Sequence, residues 1–192
     1  GVSLHKGSIT SEQISYILVP HLNASGRIKS ARIGAALLME KDGAKASDRV
    51  QTLIACNEER KRLQNETYEV CKKKVDEAYQ QDAFLVIDLP DAHEGITGIV
   101  AGKIKDAYHR PTVIVTPAAD NCLKGTGRSI EGINIYHLLK ENEHLFERFG
   151  GHAAACGFTM KEENLYQLRE NLNQSMRALA MENPEIFNQK TE

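Results

Sequence analysis

The sequence predicts an α/β fold: a compact α/β domain entered through a helical segment and one long connector helix. Three observations carry this. A proline- and glycine-free stretch over residues 44–80, dominated by charged residues, reads as one continuous helix. Two short runs rich in β-formers, residues 83–88 and 112–116, flank a stretch with helical periodicity. That strand–helix–strand order within about 35 residues is the spacing of a parallel βαβ unit.

Composition narrows the class. At 192 residues the chain suits one large domain or two small ones. With 41% hydrophobic and 26% charged residues it reads as an ordinary globular chain, and no apolar run is long enough to span a bilayer. The 24 basic and 26 acidic groups nearly cancel, so any polyanion must be met by a local basic patch. Four cysteines without a C-x-x-C pair argue against structural zinc and for a reduced, cytoplasmic chain. Cys56 and Cys71, fifteen residues apart on one helix, are separated by about 22 Å and cannot bond to each other. A glycine at position 1 in place of methionine suggests an excised piece of a longer protein.

Taking the elements in order, Thr10 and Gln13 make a capping box for a first helix carrying Ile14, Ile17 and Leu18. Pro20 is expected to end it, leaving residues 20–27 as a loop. A second helix follows over about 30–40, with Ile33, Ala36, Leu37 and Leu38. The connector carries a thin apolar stripe from Val50 to Tyr79 and spans up to about 55 Å, with a break near Asn57 or Asn65 allowed. Its Lys72-Lys73-Lys74 run reads as a solvated face. After the strand at 83–88 come a helix over 95–108 and a second strand closed by Pro117. A third strand over 122–127 leads to a helix over about 134–147. A Gly-Gly-His turn, a strand over 153–160 and an amphipathic helix over 162–181 follow, the last with Leu165, Leu168, Leu172, Met176 and Leu179 inward. The organisation is therefore 1–43 helical, 44–80 connector, 83–181 α/β domain and 182–192 a frayed tail.

Four stretches carry unusual polar residues. In the first, Asn23 to Arg27, Gly26 permits close approach and Arg27 has the fork to grip a phosphate; an ordinary helix-to-helix turn is the alternative. In the second, Asp88, Asp91, His93 and Glu94 suit either a Mg²⁺ or Mn²⁺ site or, as the favoured reading, helix caps. The third is Lys124-Gly125-Thr126-Gly127-Arg128-Ser129. In extended chain Thr126 and Arg128 share a face and can clasp one anion, and the spacing is not that of a Walker A loop. The fourth is Phe149-Gly150-Gly151-His152. Its paired glycines allow a sharp turn close to a ligand, and its imidazole can donate to an oxyanion or take up a proton.

Together the third and fourth stretches resemble the DHH-associated domain of the DHH phosphoesterase superfamily. The residues 20–27, the long charged helix and His93-Glu94-Gly95-Ile96-Thr97-Gly98 are similar to the RecJ-type branch, single-strand-specific DNA exonucleases. The resemblance covers about residues 9–172. It implies a small mixed sheet flanked by helices, serving a 5′-to-3′ exonuclease of DNA repair and recombination. It also implies two Mn²⁺ or Mg²⁺ ions on a separate DHH domain, whose D-H-H and D-x-D motifs are not found in this sequence. This chain alone is expected to be inactive.

By the same resemblance Thr126, Arg128, Ser129, Asn23, Arg27, Gly150 and Gly151 bind the terminal phosphate or nearby backbone, and His152 supports the transition state. Single-stranded DNA is the implied ligand, with a single-strand-binding protein or helicase as candidate partners and no membrane. Thr126 stands where serine is usual, Gly127 where another small residue is, His21 where arginine is frequent, and His93-Glu94 where His-Pro is. Two other readings stay open: a DHH phosphodiesterase acting on oligoribonucleotides or cyclic dinucleotides, and a noncatalytic nucleic-acid-binding module.

Overall fold

The computed structural model describes residues 9–187, and the expected tail lies partly outside them. The chain forms two compact units, Gly1–Asn65 and Glu66–Glu192.

The first unit is helical. Helix α1 (Ser11–Gln13) opens with the capping box, Gln13 N–H donating to Thr10 Oγ1 at 3.2 Å and Thr10 N–H to Gln13 Oε1 at 3.1 Å. Pro20 does not stop the helix. Residues Ile14–Leu18 wind as a π-helix, Val19 N–H bonds to the Ile14 carbonyl, and α2 (Val19–Ile28) follows directly with Pro20 in its first turn. A proline is tolerated in a first turn because those N–H groups have no partner within the helix, and the wider π turn makes the change of register. The loop expected over residues 20–27 is thus corrected to helix, and Asn23 and Arg27 stand four residues apart on one exposed helical face.

Helix α3 (Arg32–Leu38) packs on α2 through small residues: a Cβ on Gly34 would meet the Leu22 carbonyl oxygen at 3.1 Å. Helix α4 (Gly43–Ala78) is capped by Asp42, whose Oδ1 accepts the N–H of Ala44 at 2.9 Å. It runs 36 residues with no break at Asn57 or Asn65. Cys56 and Cys71 lie along it, buried and free, as their spacing requires.

The second unit holds a mixed five-stranded sheet of order β1-β2-β3-β5-β4. Strand β1 (Leu85–Asp88), α5 (Glu94–Tyr108) and β2 (Thr112–Ala118) form the expected parallel βαβ unit, Leu85 facing Thr112 and Asp88 facing Val115. Pro117 lies inside β2 rather than closing it. The Pro111 and Val115 carbonyls accept from β1, so by alternation Pro117 faces that side too, beyond the last β1 residue where no donor is needed. The remaining strands are antiparallel: β3 (Cys122–Arg128), β4 (Phe146–His152) and β5 (Ala155–Lys161).

Helices cover both faces. Ile96, Val100 and Ile104 of α5 are fully buried. On the other face α6 (Ile135–Lys140) and α7 (Leu165–Glu182) close the main core, with Leu168, Leu172 and Met176 buried and Leu165 and Leu179 partly so. Each fully buried side chain of this size contributes roughly 1.5–3 kcal/mol.

Two expectations fail near β4. The helix over 134–147 ends at Lys140, and a 3-10 turn, Glu143–Leu145, leads straight into β4. The Gly-Gly-His stretch is not a turn either. It is the end of β4, and Ala153 and Ala154 connect it to β5. A register shift between Phe146 and Arg148 explains both errors. The extra residue, Glu147, lets Phe146 and Phe149 point to the same core face, where they stack at 5.5 Å. Apolar residues three apart then mimic helical spacing inside a strand.

Candidate phosphate-binding face

Cross-strand pairs have their side chains on one face, so register alone assembles the site. On the α5 side of the sheet, three rungs cross β3, β5 and β4. The first is Arg128, Ala155 and His152; the second Thr126, Gly157 and Gly150; the third Lys124, Thr159 and Arg148. Successive rungs are about 6.7 Å apart and Arg128 and His152 about 10 Å apart across the sheet. The expected sharing of a face by Thr126 and Arg128 is found, and His152 joins them. The bulge at Glu147 places Arg148, Gly150 and His152 on this face while Phe146 and Phe149 face the core.

The middle rung is bare. Gly150 and Gly157 are exposed; a Cβ on Gly150 would meet nothing within 4 Å, and one on Gly157 would reach only the Gly125 carbonyl oxygen at 3.7 Å. The rung is a floor where a backbone can lie between the guanidinium and imidazole on one side and Lys124 and Arg148 on the other. Behind it, Gly125 and Gly127 face the core for a different reason. A Cβ on Gly125 would stand 2.1 Å from the Phe158 ring, and one on Gly127 2.8 Å from Ile135 Cδ1.

Helix α5 orients the charged groups. Gly98 leaves room for Arg128, whose Nη2 lies 2.8 Å from where a Cβ would be, and Arg128 Nη1 donates to the Gly127 carbonyl at 2.7 Å. Thr97 Oγ1 lies 3.4 Å from Thr126 Oγ1, and Lys124 is ion-paired with Glu94. Ala154 N–H donates to His152 Nδ1 at 3.3 Å. In the neutral imidazole this assigns the proton to Nε2 and makes it the available donor. Cys156 sits behind, its thiol pushed up by burial. Gly151 has φ +152°, and a Cβ there would meet the Ala155 carbonyl oxygen at 2.4 Å, so glycine is required.

Other expected residues lie elsewhere. Ser129 is buried, its hydroxyl donating to the Ile133 carbonyl at 2.7 Å, so it ties down the chain after β3 and is not brought onto this face. Asn23 and Arg27 belong to the first unit. The group at the end of β1 takes the capping alternative: His93 Nδ1 accepts the Gly95 N–H at 3.1 Å, and Glu94 sits in the first turn of α5. Asp88 is structural, accepting from Tyr79 at 2.9 Å, Lys74 at 3.3 Å and Arg169 at 3.4 Å. Burial would raise its carboxyl, but the hydrogen bonds from Tyr79 and Lys74 prevail and hold it below the usual range. No group of three or more His, Cys, Asp or Glu positioned for a metal occurs among the described residues, so these residues do not fit a divalent-metal centre.

Gly98, Arg148 and Gly157 had no place in the sequence reading, because their membership depends on pairing between distant segments.

Fold and face together define an α/β domain of the DHH-associated class. The DHHA1 domain family matches residues 81–178, and the chain belongs to it. Its relatives include the single-stranded-DNA-specific exonuclease RecJ of Escherichia coli, 33% identical over 171 residues, covering 84% of this chain and 30% of that protein. RecJ of Haemophilus influenzae is 31% identical over 175 residues, covering 87% and 30%. The crystal structure of RecJ from Thermus thermophilus in complex with Mg²⁺ superposes with a TM-score of 0.78 at 28% identity, covering 90% of this chain and 27% of that one. The same protein has been crystallised with Mn²⁺. The chain thus spans about 30% of the length of the curated relatives it matches.

Proposed function

We propose that this chain is the substrate-binding part of a RecJ-type 5′-to-3′ single-stranded DNA exonuclease acting in cytoplasmic DNA repair and recombination. One observation carries the reading. Thr126, Arg128 and His152 converge on one face beside a bare glycine rung, an arrangement suited to a phosphodiester lying directly on the backbone. Arg128 supplies a charge-assisted fork and Thr126 a hydroxyl for a terminal phosphate. His152 Nε2–H is placed to donate to an oxygen on which charge develops. Arg27 and Asn23 add phosphate contacts from the first unit. The Mn²⁺ or Mg²⁺ chemistry belongs to a DHH domain outside the described residues, and a single-strand-binding protein or helicase delivers the strand.

The test compares 5′-phosphorylated with 5′-hydroxyl oligonucleotides. Arg128→Ala should weaken binding of the phosphorylated strand by about 1.5–3 kcal/mol and of the hydroxyl strand much less. Equal losses would count against a terminal-phosphate pocket. The chain alone, given Mn²⁺, should cleave nothing; robust His152-dependent cleavage would overturn the assignment of the metals elsewhere.

A further inference from the structure

In the first unit, Arg60 of α4 is held in an unusual way. Its Nε and Nη2 both donate to Asn57 Oδ1 at 3.1 Å, and its Nη1 donates to Gln64 Oε1 at 2.8 Å. Asn57 and Gln64 are 2% and 8% exposed. Two buried amides therefore fix the guanidinium plane without neutralising it. Other arginines of the same helix take carboxylates: Arg49 pairs with Glu40 at 3.2 Å and Arg62 with Glu59 at 2.7 Å.

The charge that acts on Arg60 is that of another cation. Burial first, and then the positive charge of Arg27, hold the Arg60 guanidinium below its ordinary range. Two guanidinium groups brought together repel unless an anion lies between them, and a phosphate, with several acceptor oxygens, answers two forks at once. Three of the five Arg60 donors are used by Asn57 and Gln64, and two remain for such a ligand.

We propose that Arg60 and Arg27 form a paired-guanidinium phosphate site, with Asn57 and Gln64 as its positioning residues. The inference rests on the reading of the chain as a single-strand binder and adds a contact to it: the phosphate is one of the strand's own. Arg60 is then a binding residue, not a staple on the helix surface.

The experiment measures the affinity of the full chain for a 5′-phosphorylated oligothymidylate by fluorescence anisotropy. Arg60→Gln and Arg27→Gln should each weaken binding about tenfold, the loss expected of one charge-assisted contact. The double variant should lose less than the product of the two, because both serve one phosphate. Arg60→Lys keeps the charge but not the fork and should recover only part of the affinity; it carries the test if Arg60→Gln loses helix content by circular dichroism. Wild-type affinity in Arg60→Gln and Arg60→Lys, with Arg128→Ala still impaired, overturns this site alone. Wild-type affinity in all three removes the single-strand reading as well.

Discussion

Gly98 of α5 and Arg128 of β3 touch where a side chain would otherwise stand: a Cβ on Gly98 would lie 2.8 Å from Arg128 Nη2 and 3.2 Å from Thr126 Cγ2. The helix can lie over the strand and still leave the guanidinium in place because that methyl is missing. The glycine thus shapes the phosphate face while contributing no functional group to it.

Gly98→Ala separates binding from folding. Alanine favours a helix interior over glycine by about 1 kcal/mol, and the atom it displaces is the far end of a flexible arginine. The denaturation midpoint should hold or rise slightly, while affinity for 5′-phosphorylated single strands falls several-fold. A large loss of stability would show that Arg128 cannot yield, and unchanged affinity would show that its position is immaterial.

The adjacent glycines of β4 should respond in opposite ways. Gly150→Ala meets no atom within 4 Å, so stability should change by less than about 1 kcal/mol, yet the methyl rises from the bare rung and should weaken strand binding. Gly151→Ala would place a Cβ 2.4 Å from the Ala155 carbonyl oxygen at a φ of +152°, and should cost about 1–3 kcal/mol of stability. Urea titrations paired with anisotropy on both variants check the contrast; equal behaviour would refute the floor.

What could be read from the sequence followed local periodicity. The apolar faces of α5 and α7, the unbroken α4 and the shared face of Thr126 and Arg128 each depend on spacing within one element, and each is found. The failures have local causes of another kind. Pro20 falls in a first helical turn entered from a π turn, a register that composition does not announce. The glycines at 150 and 151 suggest a turn by residue type, but their neighbours across β5 extend them as strand. The bulge at Glu147 hides the alternation that would have marked β4. The complete face, with Gly157, Arg148 and Gly98, depends on contacts between segments that no local pattern encodes.

Gly125 tests the core behind the face. Its missing side chain is filled by the Phe158 ring, which stacks on Phe146 with ring centroids 4.6 Å apart. Gly125→Ala forces that ring out of a packed core and should cost about 3 kcal/mol or more, at the upper end of overpacking. A denaturant midpoint within error of wild type would mean the aromatic cluster repacks freely.

Asp88 predicts a pH dependence with a definite sign. Tyr79 and Lys74 hydrogen bonds hold its folded-state pKa below the unfolded value of about 3.9, against the opposing effect of burial. The carboxylate then stabilises the fold above that pH, and the contribution is lost as pH falls through the folded value, where the side chain becomes protonated in both states. Asp88→Asn should lower the urea midpoint at about pH 7, and the gap to wild type should narrow as pH drops below about 4. The gap should be modest, because the Asp88 side chain is 44% exposed and solvent screens the pairing. A gap that stays constant with pH would assign the effect to the hydrogen bonds an amide also loses, and would remove the carboxylate charge from the account of how β1, α4 and α7 are held together.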